Sequence, residues 1–168
     1  MRAETFRALR VLACALLIFV PSIASVGAAP LPVETIAVDT HHGSKKIVVE
    51  IAADAASQGL GLMHRKHLDP NKGMLFDFGQ PMMCAFWMKD TILSLDMLFV
   101  RADGTISTIA PNAVPFSTKE IVSAEPVRAV IEIGAGRAHA LGIVPGDIVR
   151  AAAFGNSWQP SPHATKAK

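Results

Sequence analysis

The chain has 168 residues and is short of several things at once: it has no tyrosine, two cysteines, 6% aromatic residues and 18% charged residues. Each shortage excludes something. Charge runs well below the roughly 25% of typical soluble domains, and the formal net charge is only +2. The composition is therefore neither that of a highly charged disordered chain nor that of a nucleic-acid binder with a dense basic face. An apolar run of the roughly 20 residues needed to cross a bilayer is missing. Internal repeats and sustained helical periodicity are missing too, and the length fits one domain of roughly 100–150 residues. No Gly-x-Ser-x-Gly, His-Glu-x-x-His or phosphate-cradling glycine loop occurs.

The N-terminus does carry a pattern. Arg2, Arg7 and Arg10 precede the apolar run Val11–Val20, and Pro21, Ser22 and a small-residue stretch to Ala29 follow it. A basic, an apolar and a small-residue region in that order form a secretory signal peptide, here residues 1–28, with cleavage expected after Ala28 or, alternatively, after Ala24. The protein is expected in the periplasm or outside the cell, touching the membrane only through this leader. Removing three arginines and one glutamate leaves 13 basic and 13 acidic residues, a neutral mature chain. Cys14 leaves with the leader. Cys84 then stands alone, so no intramolecular disulfide can form even in an oxidising compartment.

After a linker at 29–32, short β-branched and apolar segments punctuated by Gly, Pro and Asp read as strands. They fall at Val33–Asp39, Lys46–Ile51, Gly73–Phe78, Ala85–Lys89, Leu95–Arg101, Thr105–Ile109, Ala129–Ile133 and Ile148–Ala153. Asp103-Gly104 between two apolar runs is a strong hairpin signal. Ala52–Leu62, with Asp54 near its start, reads as a short helix whose end Gly59 and Gly61 weaken, and Ala135–Leu141 as one or two further turns. Val144-Pro-Gly-Asp147 suits a type II turn. The fold class is mainly β, a compact barrel or sandwich of short strands with one or two short helices. It is expected to span 33–154 as a single domain, followed by a disordered tail at 155–168.

Three segments in order, Gly61-Leu-Met-His-Arg65, Gly73-Met-Leu-Phe76 and Phe86-Trp-Met-Lys89, are joined by Leu95-Asp96, Val130–Ile133 with Gly136, and Gly142–Val149. Together they resemble the domain of unknown function 192 family over roughly Thr35–Ala151. The resemblance implies a small, mainly β, often exported domain and no established activity. Ser94 and His64 depart from the family's usual residues at those places.

Charged and polar residues embedded in apolar strand sequence need partners or a cleft. Arg65, Trp87, Lys89, Asp90, Thr91 and Asp96 are the candidate ligand-binding set, with Arg65 and Lys89 holding an anionic group and Trp87 as a stacking wall. The bland alternative has Arg65 and Asp96 as an ion pair, Asp90-Thr91 as a turn and Lys89 exposed. A second candidate is soft-metal binding, copper in particular, by Met63, Met74, Met82, Met83, Cys84, Met88 and Met97 with His64 and His67. Strand alternation would keep these donors from converging. A third is a thiol enzyme pairing Cys84 with His64 or His67, or a carboxylate pair of Glu132 and Asp147. The expectation is a monomeric binding or accessory module for an unidentified small molecule or protein, with no nucleic acid, no cofactor, no resident metal and no assigned catalytic residue.

Overall fold

The computed structural model describes residues 30–159. The expected signal peptide, both of its expected cleavage points and the end of the expected tail lie outside the described residues. Nine strands are seen among those described: β1 (Val33–Thr40), β2 (Gly43–Ala52), β3 (Lys72–Met82), β4 (Ala85–Phe86), β5 (Leu95–Val100), β6 (Ile106–Ala113), β7 (Ile121–Val122), β8 (Val127–Gly134) and β9 (Ile148–Arg150). Two short helices, α1 (Ala55–Leu60) and α2 (Arg137–Leu141), and a 3-10 turn at Ala152–Phe154 complete the domain.

Seven strands form one mixed sheet in the order β6-β5-β8-β3-β2-β1-β9, while β4 and β7 pair separately. Every pairing in the sheet is antiparallel except β2 with β3, which is parallel. The mainly β class holds, in the form of a sheet that curls without closing. Its two edges approach at the tip of the Asp103-Gly104 hairpin. There Thr105 bridges Ile148, Ile106 N–H donates to the Asp147 carbonyl (2.8 Å) and Val149 N–H to that of Gly104 (2.8 Å). No closed barrel ladder results.

Alternation along the strands divides the core between two faces. The inner, concave face gathers Ile36, Val38, Ile47, Val49, Leu75, Leu98, Val100, Ala129, Ile131 and Ile133. The outer face of the central strands β3, β8 and β5 carries Met74, Phe76, Val130, Met97 and Phe99, and irregular chain covers it with Leu62, Cys84 and Met88. Burial on both faces explains why Leu95–Val100, buried at every position, reads as one apolar run without alternation.

The parallel β2–β3 pair dictates where irregular structure lies. Parallel neighbours require a crossover, and residues 53–71 make it, carrying α1. Asp54 caps that helix by accepting from the Ala56 and Ser57 N–H groups, both at 3.0 Å, and the Ser57 hydroxyl completes a capping box. Gln58 fastens the helix to the sheet by donating to the carbonyls of Asp77 (2.8 Å) and Ala52 (3.3 Å). On β3, Gly73 meets β8 so closely that a Cβ would stand 2.4 Å from the Glu132 carbonyl oxygen, which is why no side chain occupies this strand position.

Several segments depart from the sequence pattern. Ala85–Lys89 is a strand only at Ala85–Phe86, because the chain must turn through Asp90, whose φ is 52°. Ile148–Ala153 ends as a strand at Arg150 and tightens into the 3-10 turn. The chain stays on the domain beyond Gly155: the Asn156 side chain accepts from Ala151 N–H (3.1 Å) and donates to the Val149 carbonyl (3.1 Å). Trp158 lies under the Lys46 ammonium, 4.0 Å from its ring centroid.

Candidate functional site

The crossover and the β3–β4 connection do not meet completely over the outer face. Between them lies a cavity of about 470 Å³. Gln58–Met63 form one wall, Met82–Trp87 the other, and Phe76, Phe78, Thr91 and Glu132 the base and side. Phe76 and Phe86 pack edge to face with centroids 5.1 Å apart, and Phe86 meets Phe99 at 6.4 Å in the same manner. Such a cluster gives a fixed shape to that wall. Gly61 has φ of 51°, and a Cβ there would stand 3.2 Å from the Phe76 ring.

Glu132 is the chemically conspicuous member. It lies on β8, opposite Met74 of β3 and Met97 of β5, and is 4% exposed. Its carboxyl group has no hydrogen bond or ion pair with any described residue. Burial without compensation pushes its pKa up to about 8, because the charged form loses its hydration and gains nothing in return. At neutral pH the side chain is mainly a neutral acid.

Of the six candidate residues, the structure brings Trp87 and Thr91 to this cavity. The other four are used elsewhere. Arg65 forms a two-pronged pair with Glu50, with both N···O distances 2.5 Å, pinning the crossover to β2. The arginine hydrogen bonds hold the Glu50 carboxyl below its ordinary range. Asp96, 1% exposed, accepts from the backbone N–H groups of Asn112 (2.9 Å), Gly136 (3.1 Å) and Ala138 (2.9 Å), tying β6 and the start of α2 to β5. Lys89 is exposed, its ammonium 5.6 Å from the Trp87 ring centroid at the rim. Asp90 shapes the turn, its carbonyl accepting from His64 N–H (2.9 Å). Arg65 and Asp96 are thus not each other's partners, and Arg65 and Lys89 do not line the cavity.

The sulfur residues also separate. Met74, Met88 and Met97 are core, whereas Met63, Met82, Met83 and Cys84 line the cavity. His67 bonds Asp69 (2.9 Å), and neither it nor His64 lines the cavity. Among the described residues no group of three or more His, Cys, Asp or Glu side chains is arranged to hold a metal. Cys84 has its thiol pKa raised by burial, only partly offset by a hydrogen bond with Ser123. That is the opposite of an activated nucleophile. Asp147 is spent locally, its carboxylate accepting Val144 N–H (2.8 Å) to close the Pro-Gly turn.

Residues 37–151 match the family model of DUF192, described as an uncharacterized ACR. The chain belongs to the DUF192 family. The chain is also similar to two solved structures. One, a putative transcription regulator from Sinorhizobium meliloti 1021, is 44% identical over 76% of this chain and 99% of its own, with a TM-score of 0.73. The other, a protein of unknown function from Novosphingobium aromaticivorans DSM 12444, is 38% identical over 74% of this chain and 94% of its own, with a TM-score of 0.70. No curated protein matches. In this DUF192 domain the residue that sequence reasoning undervalued is Glu132. The signal was present, a glutamate inside Val130-Ile-Glu-Ile133, but sequence sought its partner in Asp147 rather than in a cavity.

Proposed function

We propose that this DUF192 domain is an exported, monomeric binding module whose site is the outer-face cavity, taking a small molecule with an apolar body. The carrying observation is a concave, aromatic-walled space with one buried, unpartnered carboxyl at its base, the usual build of a small-molecule site. Trp87 and Thr91 are retained from the sequence-derived set as ligand contacts, with Glu132 added, while Arg65, Lys89, Asp90 and Asp96 shape or border the site. A nucleic-acid partner, which the name of the Sinorhizobium relative would suggest, finds little support in the charges. Arg65, Arg101, Arg128 and Arg150 are each paired with a carboxylate, and Arg137 donates to the Pro70 carbonyl and the Asn71 side chain.

The neutral fluorophore N-phenyl-1-naphthylamine tests the reading. Saturable one-to-one binding is expected, and Trp87→Ala should weaken it about tenfold through loss of an aromatic wall. Binding that never saturates, or that Trp87→Ala leaves unchanged, refutes the site. The soft-metal alternative is supported by Met63, Met82, Met83 and Cys84 sharing the cavity. Under that alternative, stoichiometric Cu(I) displaces the fluorophore and Cys84→Ala abolishes the displacement.

A further inference from the structure

The cavity reading leaves open what the occupant carries at the end that meets Glu132, and the polar inventory of the lining narrows it. No Lys, Arg or His side chain lines the cavity, so an anion would enter without a counter-charge. Hydrogen-bond donors are equally scarce. The Gln58 amide N–H groups are spent on the Ala52 and Asp77 carbonyls (3.3 and 2.8 Å), and the Thr91 hydroxyl on the Lys89 carbonyl (3.1 Å). A ligand presenting an acceptor would therefore meet few free side-chain donors, chiefly the Glu132 acid and the Trp87 indole N–H. What remains unspent is electron-rich: the Glu132 carboxyl, the faces of Phe86 and Trp87, and the thioethers of Met63 and Met82, whereas the Met83 sulfur accepts the Ser123 hydroxyl (4.0 Å). Aromatic faces attract cations, and Trp87 already holds the Lys89 ammonium beside its ring.

Resting on the cavity reading above, we infer that the occupant is an organic ammonium ion, with Glu132 as its buried counter-ion and Phe86 and Trp87 as its aromatic walls. In the unliganded domain the Glu132 carboxyl keeps its proton, held there by burial. An arriving ammonium supplies the charge that makes the carboxylate favourable, and the proton leaves for solvent. Binding is an exchange of one cation for one proton, so the net charge of the cavity does not change. The groups around Glu132 leave the titration to it alone. β3 and β5 present Met74 and Met97 beside it, the 58–63 wall has no titratable side chain, and the 82–87 wall has only Cys84, whose thiol burial keeps protonated. Lys89 stands outside at the rim, its ammonium 5.6 Å from the Trp87 ring centroid.

Three matched probes separate the chemistries by calorimetry: choline, the neutral 3,3-dimethylbutan-1-ol, and the anion 3,3-dimethylbutanoate. Choline should bind at least tenfold more tightly than the alcohol at pH 8, with the carboxylate weakest. Its affinity should rise about tenfold per pH unit between pH 6 and 8 and then level off, as for a ligand that needs one deprotonated group. At pH 7 about one proton should be released per choline bound, read from the dependence of the enthalpy on buffer ionisation. Glu132→Gln, near in shape and uncharged, should abolish both the proton release and the preference for choline over the alcohol. Equal or tighter binding of the alcohol or the carboxylate, choline binding without proton release, or an unchanged preference in Glu132→Gln overturns the ammonium assignment alone. Failure of all three probes to bind overturns the cavity reading with it.

Discussion

Two carboxyl groups lie one residue out of step on adjacent strands of the same sheet and meet opposite fates. Asp96 on β5 faces the inner side, across from Ile133, and Glu132 on β8 faces the outer side, across from Met97. Both are nearly inaccessible, at 1% and 4% exposure. Asp96 receives three backbone N–H groups from two other segments of chain. Glu132 receives none among the described residues. The inner face is closed by strand pairing and a helix start, so its polar group has been absorbed into the fold. The outer face is closed by the crossover and the β3–β4 connection, which leave a gap over theirs. A buried polar group that the fold satisfies is architecture, whereas one it leaves unsatisfied, at a cost of some kcal/mol, is what the proposed binding site rests on.

The sharpest way to break this comparison is to remove the absorbed carboxylate. Asp96→Ala leaves three backbone donors without their acceptor and should cost roughly 3–5 kcal/mol of stability in urea unfolding at pH 7. A cost under about 1 kcal/mol would mean that Asp96 is no better integrated than Glu132.

Glu132→Gln should act in the opposite direction and with pH. The folded-state pKa of Glu132, about 8, lies above its ordinary value, so the folded protein holds a proton that the unfolded chain gives up between these values. Stability of the native protein should therefore fall as pH rises from about 4.5 towards 8, and level off above. The variant should lack this decline and be more stable by roughly 2–4 kcal/mol at pH 8.5. Chemical denaturation across that range checks it. A variant that keeps the native slope would place the titration elsewhere.

The smallest effect belongs to the pair on the crossover. Arg65→Ala breaks the Glu50 contact, but the two side chains are 36% and 29% exposed, and water screens such pairs. A loss of about 1 kcal/mol or less is expected, with part of it removed from the native protein by added salt. A larger loss would make the crossover's anchorage, rather than its gap, the dominant feature of the outer face.

Much of the fold was legible because its signals are local. The Asp103-Gly104 hairpin, the capped helix at Asp54 and the Val144–Asp147 turn depend on a few neighbouring residues, and each is found where the sequence puts it. Strand ends were read less well. Trp87–Lys89 look like strand continuation but bend away into the turn at Asp90, and β7 was too short to announce itself. The candidate site was legible only as a list of charges out of place in apolar sequence. That list included Asp96, while Glu132 stood outside it as half of a carboxylate pair with Asp147; whether an embedded charge meets backbone donors or an open cavity depends on segments far away in sequence: Ala138 for Asp96, and the 58–63 and 82–87 segments for Glu132.

The sequence by itself determined the family, the mainly β class, most of the turns and the small net charge of the chain. These follow from composition, short-range turn chemistry and ordered motifs, which act within a few residues. Only the tertiary structure decided that β2 and β3 run parallel, so that the intervening chain must cross the outer face, and that this cover leaves a cavity over Glu132. Strand partners and the fit of one segment over another are set by contacts between distant residues, and those contacts separated the carboxylate spent on the fold from the one without a partner among the described residues.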